Sequence, residues 1–350
     1  MKLIIGGRYQ VIKPLSQGAF GQTFLSQDNY RPGRPQCVVK QLIPQVVNEV
    51  TIGLFESEAR ALEKLGHHPQ IPQFFASFQE KKSFYLVQEF IDGHDLSQEI
   101  SKGKRLEESQ VIQLLKDILE VLAFVHQNNI IHRDIKPDNI WLESTGSDLV
   151  WTRLKILDFG LARAVEHTDS ALTGAGIIMG TPYYMSPEQA SGLPLNLSTD
   201  IFSLGVLLYQ MVTGSYPFEG RTTLAVLSAV TNKSPKPIPN NDTSIPLALI
   251  SLIFQMLEKT ISPRPKDCHQ IESMLQAIQE GQTPKVLVAN LGGRKIAAWA
   301  GGVFCLMLLG LFGFFYSAIF PQEPIHVGIL HDITGSLSQS GSSVKDATIF

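Results

Sequence analysis

The sequence predicts an α+β protein with a small β-rich lobe, a larger helical lobe and one transmembrane helix after them. Three observations lead there. Residues 9–95 hold short β-rich runs separated by turn residues. Residues 96–275 carry long stretches with broad apolar faces at helical spacing. Ile296 to Phe320 is a run of 25 residues without a charge.

In the first region YQVIKPL, QTFLSQ, QCVVKQL and SFYLVQEF read as strands. Leu54 to Leu65 has helical periodicity and stops at Gly66, a residue suited to a helix C-cap. In the second region VIQLLKDILEVLAFVH and DIFSLGVLLYQMVTG read as helices, and SPKPIPNNDTSIP (234–246) as a loop between helices. The lobes are expected at about 9–90 and 96–275, with a ligand cleft between them, and residues 276–295 as a juxtamembrane linker.

The uncharged run is long enough to cross a ~30 Å hydrocarbon core at ~1.5 Å per residue. Trp299 and Tyr316 lie near its ends, as headgroup-seeking rings do. Lys285, Arg294 and Lys295 precede it, and the next cation is Lys345. The positive-inside rule therefore places the lobes in the cytoplasm and residues 321–350 outside a cell membrane crossed once. The N-terminus, MKLIIGGRYQ, has too short an apolar stretch for a secretory signal, so the internal helix must direct its own insertion.

With 29 Lys and Arg against 32 Asp and Glu the net charge is −3, and there is no basic run, so nucleic acid is not an expected partner. Cys37, Cys268 and Cys305 are too few and too scattered for a disulfide framework or a zinc site. At 17% charged and 44% hydrophobic residues, the composition excludes a disordered, collagenous or coiled-coil chain.

Five motifs carry chemistry. Leu15–Thr23 is a Gly-rich turn in which Gly18 and Gly21 can let backbone approach a phosphate; glycine also serves turns for purely structural reasons. Lys40 sits on the next strand and Glu58 on the following helix. Alone, the first reads as a snorkelling lysine and the second as a solvated glutamate. Together they form a cation–anion pair on facing elements. The run Ile131-His132-Arg133-Asp134-Ile135-Lys136-Pro137-Asp138-Asn139 follows an amphipathic helix, and Leu157-Asp158-Phe159-Gly160 comes soon after. An acceptor base and two oxygen ligands are what a magnesium–triphosphate reaction needs.

In order and spacing these motifs resemble those of the Hanks-type protein kinases of the bacterial Ser/Thr class, over about residues 9–275. The resemblance implies the bilobal protein-kinase fold and a non-specific serine/threonine protein kinase. Its cofactors would be ATP with Mg²⁺ or Mn²⁺, and its partners protein substrates. Gly18 and Gly21 would cover the phosphates. Lys40 would hold the α and β phosphates and pair with Glu58. Glu89 and Ile91 would bond adenine through their backbone, with Gln88 as gatekeeper, and Asp95 would reach the ribose. Asp134 would accept the substrate hydroxyl proton, beside Lys136. Asn139 and Asp158 would hold the metal. Glu188 would pair with Arg264, and Asp200 would anchor the catalytic-loop backbone. Thr181 would contact Asp134 and Lys136, and Arg133 would meet a phosphorylated activation loop, with Thr168, Ser170 and Thr173 as candidate acceptors. Ser16, Thr23 and Ser186 depart from the family pattern without removing a group the chemistry requires.

Residues 325–350, IHVGILHDITGSLSQSGSSVKDATIF, resemble the start of a type I periplasmic solute-binding domain. That implies a receptor-like kinase with a small-molecule ligand outside the cell, and the topology implies a homodimer, although the membrane helix has no Gly-x-x-x-Gly pair. The alternative is a solute receptor whose kinase-like region is a non-catalytic scaffold.

Overall fold

A computed structural model describes residues 3–18, 21–42, 49–100, 105–144, 151–159, 182–238 and 245–281. All lie in one compact unit, Met1–Ala289. Among them no helix is long and apolar enough to cross a membrane. The expected membrane helix at 296–320, the segment beyond it and most of the linker lie outside the described residues.

The first lobe is a six-stranded antiparallel sheet in the order β1-β2-β3-β4-β6-β5. Its strands are β1 (Ile4–Ile5), β2 (Tyr9–Gln17), β3 (Gly21–Asp28), β4 (Gln36–Leu42), β5 (Phe74–Glu80) and β6 (Ser83–Glu89). Alternation along β4 buries Cys37 and Val39 on one face and puts Lys40 and the buried Leu42 on the other. Helix α1 (Glu49–Leu65) packs against β5 and β6. It begins five residues earlier than the periodicity from Leu54 suggests, because Val50, Thr51, Ile52 and Gly53 are poor helix formers that tertiary packing overrides. Gly66, at φ 60°, ends it with its N–H donated to Leu62 O at 3.1 Å.

A second sheet joins β7 (His94–Asp95) to two strands within the region read as helical, β8 (Ile140–Ser144) and β9 (Trp151–Ile156). The helices are α2 (Ser97–Ile100), α3 (Glu108–Gln127), α4 (Pro187–Ala190), α5 (Ser198–Thr213), α6 (Thr223–Asn232), α7 (Leu247–Met256) and α8 (Cys268–Gln279). Helix α5 is almost wholly buried and mostly apolar, as a central helix must be, with a few buried polar groups such as Asp200 and Gln210. Its neighbours α3 and α7 pack on it, and α8 lies against α3 and α7. One apolar cluster runs from Leu42 and Phe55 in the first lobe through α3 to α5, α7 and α8. This continuous core fixes α5 and α3 as the frame on which the loop after α3 is mounted.

Candidate active site

The loop after α3 is pinned from below. Asp200, near the start of α5 and fully buried, accepts the backbone N–H of His132 and of Arg133, each at 2.8 Å, and contacts His126 Nε2 at 2.8 Å. Three charge-assisted bonds on one carboxylate leave this stretch little freedom. His132 is buried too, 2.9 Å from the Leu157 carbonyl through Nε2, while Nδ1 accepts from Asp134 N–H at 3.3 Å. Burial pushes the His132 imidazole below its ordinary pKa, which suits that neutral, one-donor arrangement. Its ring lies 4.7 Å from that of Phe159. Arg133 and Asp158 both occupy left-handed backbone, at φ 72° and 58°. Non-glycine residues hold such angles only where the surroundings over-determine them.

On this platform Asp134 Oδ2 takes two donors, Lys136 Nζ at 2.7 Å and Asn139 Nδ2 at 2.8 Å. Asn139 also donates to the Asp134 carbonyl at 2.8 Å, and its own carbonyl accepts Leu157 N–H at 2.8 Å. That last bond carries the chain directly into Asp158. Asp134 Oδ1 takes no hydrogen bond among the described residues.

From the other lobe, Lys40 Nζ lies 2.9 Å from Glu58 Oε1 and also contacts Asp158. Burial alone would push the Lys40 ammonium down, but the carboxylates of Asp158 and Glu58 raise its pKa. Asp158 is lowered: desolvation acts against this, and the adjacent Lys40 charge prevails. The Glu58 side chain is wholly buried, and its Oε2 finds no partner among the described residues. Lys40, Glu58, Asp134, Lys136, Asn139 and Asp158 thus form one connected set across the two lobes.

The remaining expected residues fall around it. Gly18 N–H donates to Gly21 O at 2.9 Å, closing the β2–β3 hairpin. A Cβ on Gly21 would meet the Gln41 carbonyl oxygen at 2.8 Å, so glycine is needed there for the approach of β3 to β4. Ser16 pairs with Thr23 within the strand ladder, where no positive φ is required and serine is tolerated. Gln88 is buried in β6, and Glu89 N–H donates to Gln73 O at 2.9 Å. The N–H of Ile91 is unpaired among the described residues. Asp95 accepts from Ser97 Oγ and from Gln98 Nε2 at the start of α2, and these bonds, working against desolvation, lower its pKa. Its carboxylate is therefore already engaged locally.

Glu188 and Arg264 form a buried two-pronged pair at 2.8 and 2.9 Å. Thr181, Gly160 and the candidate acceptors Thr168, Ser170 and Thr173 lie outside the described residues.

Several supports were not legible in the sequence. Gln189 donates to Arg133 O at 2.7 Å, and Ser186 forms a capping box with Gln189, which gives the unusual serine a role. Thr199 Oγ1 donates to Glu188 at 3.0 Å. Lys155 Nζ sits 2.7 Å from Glu89, tying β9 to the strand that joins the lobes. For His126 the usable signal is its place on the apolar face of α3, four residues after Leu122.

The donor set fits a hard divalent cation. With its amide nitrogen turned to Asp134, Asn139 offers an oxygen, and Asp158 offers a carboxylate, both oxygen donors of the kind Mg²⁺ and Mn²⁺ take. Among the described residues no cluster of three or more His, Cys, Asp or Glu could hold a metal alone. Two protein ligands fit a cation that arrives with phosphate oxygens.

The protein kinase domain family model matches residues 9–277, and the chain belongs to that family. It is similar to serine/threonine-protein kinase C of Synechocystis sp., 42% identical over 223 residues, 61% of this chain and 40% of the relative. It is also similar to PknA of Nostoc sp., 40% identical over 63% of this chain and 40% of the relative. A third relative is the serine/threonine-protein kinase pkn3 of Myxococcus xanthus, 32% identical over 79% of this chain and 51% of the relative. The chain spans about two fifths of the length of the first two.

Proposed function

We propose that this chain transfers the γ-phosphoryl group of ATP to serine or threonine hydroxyls of proteins. The observation that carries the reading is the connected set Lys40–Glu58–Asp158 facing Asp134–Lys136–Asn139. Lys40, oriented by Glu58, holds phosphate oxygens of the nucleotide. Glu89 and Ile91 offer backbone groups to the adenine. Asp134, steadied through Oδ2, presents Oδ1 to the incoming hydroxyl. The alcohol oxygen bonds to the γ-phosphorus, the bond from phosphorus to the bridging β–γ oxygen breaks, and the hydroxyl proton passes to Asp134. Lys136 neutralises charge beside that carboxylate. A Mg²⁺ or Mn²⁺ ion held by Asn139 and Asp158 would supply further charge neutralisation on the phosphates. Positioning and fixed charge supply most of the rate in such a site.

The proposal includes the membrane. The apolar run 296–320 anchors the chain once in the cell membrane, with the catalytic unit cytoplasmic and residues 321–350 outside, where they begin a ligand-sensing domain. Homodimer formation and a phosphorylated activation loop meeting Arg133 belong to the same reading.

Incubation of the full chain with γ-labelled ATP and Mg²⁺, followed by phosphoamino-acid analysis, tests it. Label is expected on serine or threonine, and its absence, or label on tyrosine alone, contradicts the reading. Lys40→Met sharpens the test, because it leaves the buried Glu58 carboxylate without its cation at a cost of about 3–5 kcal/mol. Adding Glu58→Gln is expected to restore most of the lost thermal stability and none of the transfer activity.

A further inference from the structure

The carboxylate that pins the catalytic loop stands at the end of a file of three buried side chains. His126 on α3 reaches Asp200 Oδ2 through Nε2 at 2.8 Å, and its other ring nitrogen, Nδ1, lies 3.7 Å from Sγ of Cys268. Cys268 is the first residue of α8 and is 2% exposed. Asp267 caps that helix, its Oδ1 accepting Gln270 N–H at 2.8 Å, so a fixed backbone presents the thiol. Helices α8, α3 and α5 each give one side chain, and the file ends on the N–H groups of His132 and Arg133. The transfer chemistry uses neither the thiol nor the imidazole.

The direction of each bond follows from what the groups can do. Asp200 as a carboxylate only accepts, so His126 Nε2 must carry a hydrogen. In a neutral ring Nδ1 is then a bare acceptor. Among the described residues Cys268 is the hydrogen-bond partner that Nδ1 has. Burial pushes the Cys268 thiol up to about 12, so it keeps its proton at neutral pH and can donate it. A thiol is a weak donor, but a buried acceptor left without any donor carries its full desolvation cost. That cost is avoided while the ring holds the one position that serves both the thiol and Asp200.

We propose that Cys268 is a positioning residue for phosphoryl transfer: its S–H, bonded to His126 Nδ1, orients the imidazole toward Asp200 and so steadies the loop that carries Asp134. The link to turnover rests on the kinase reading; the bond and its hold on the loop do not.

Three measurements on the full chain in detergent test this. In Cys37→Ala/Cys305→Ala the thiol of Cys268 is the only one left. Its infrared S–H stretch is expected below the frequency of a thiol in an apolar solvent. A stretch at the apolar-solvent frequency, or no S–H stretch, overturns the bond. Cys268→Val then keeps the bulk and removes the donor, whereas Cys268→Ser keeps a donor. Cys268→Val is expected to speed hydrogen exchange at the His132 and Arg133 amides about fivefold. It should also lower kcat about fivefold and leave KM for ATP within about twofold. Cys268→Ser should hold exchange and kcat within about twofold of the native chain. Equal effects of valine and serine, or native exchange rates in Cys268→Val, overturn the positioning role. Should valine prevent folding, Cys268→Ala supplies the donorless variant, judged by the same outcomes. If the native chain transfers no label while the stretch and the exchange behave as expected, the kinase reading falls and the hold of Cys268 on the loop stands.

Discussion

Asp134→Asn is expected to lower the turnover number for phosphoryl transfer by about 10³-fold while nucleotide affinity stays within about twofold. Asparagine keeps the shape and the acceptor oxygen that Asn139 and Lys136 address, at 2.8 and 2.7 Å in the native chain. What it loses is the ability to take the hydroxyl proton and the charge that holds Lys136. The side chain is only partly exposed and is not part of the apolar core, so the melting temperature should move little. Single-turnover rates and nucleotide titration on the same preparation separate the two effects. Equal loss of nucleotide binding and turnover would show that Asp134 is structural and that the proton acceptor lies elsewhere.

Arg264→Met is expected to cost about 3–5 kcal/mol of stability, the largest effect of any single substitution away from the catalytic groups. Arg264 donates to both oxygens of Glu188, to Ser198 O at 3.0 Å, to Glu258 O at 2.8 Å and to Lys259 O at 3.1 Å, with its side chain wholly buried. Its guanidinium also lies 5.0 Å from the Phe202 ring on α5. Methionine fills part of the volume and strands the Glu188 carboxylate. Adding Glu188→Gln should recover part of the loss, because the stranded charge is removed. The native pair also sets an acid limit. Desolvation would raise Glu188, but Arg264 holds it below the ordinary carboxylate range. A depressed carboxylate stabilises the fold above the unfolded value of about 4.3, and that stability is lost as pH falls through the folded value. Denaturant midpoints measured from pH 7 downward should therefore fall below about pH 4.5 in the native chain and show a weaker slope in Arg264→Met/Glu188→Gln.

Much of the site was readable because its residues sit in short motifs whose internal spacing is local. Asp134, Lys136 and Asn139 lie within six consecutive residues, so their meeting requires only one loop. Lys40 and Glu58 were readable as a pair because a strand and the next helix of a small lobe have few ways to pack. The supports that hold this geometry cross the chain: Lys155 reaches Glu89 over 66 residues, His126 reaches Asp200 over 74 and Arg264 reaches Glu188 over 76. Of these the sequence offered only the last, and only through family resemblance. The strand β8 escaped because it has only five residues and lies directly after a loop motif. The start of α1 escaped because β-branched residues and Gly53 speak locally against the helix that burial of Thr51 and Phe55 enforces.

The central claim is that one site, shared by both lobes, holds a metal–nucleotide next to Asp134. Pulsed electron-spin measurement of Mn²⁺ bound with a non-hydrolysable ATP analogue tests it most directly. The native full chain is expected to show phosphorus coupling to the ion, and Asp158→Ala to lose it. Identical coupling in Asp158→Ala, or Mn²⁺ binding indifferent to the nucleotide, would contradict the account.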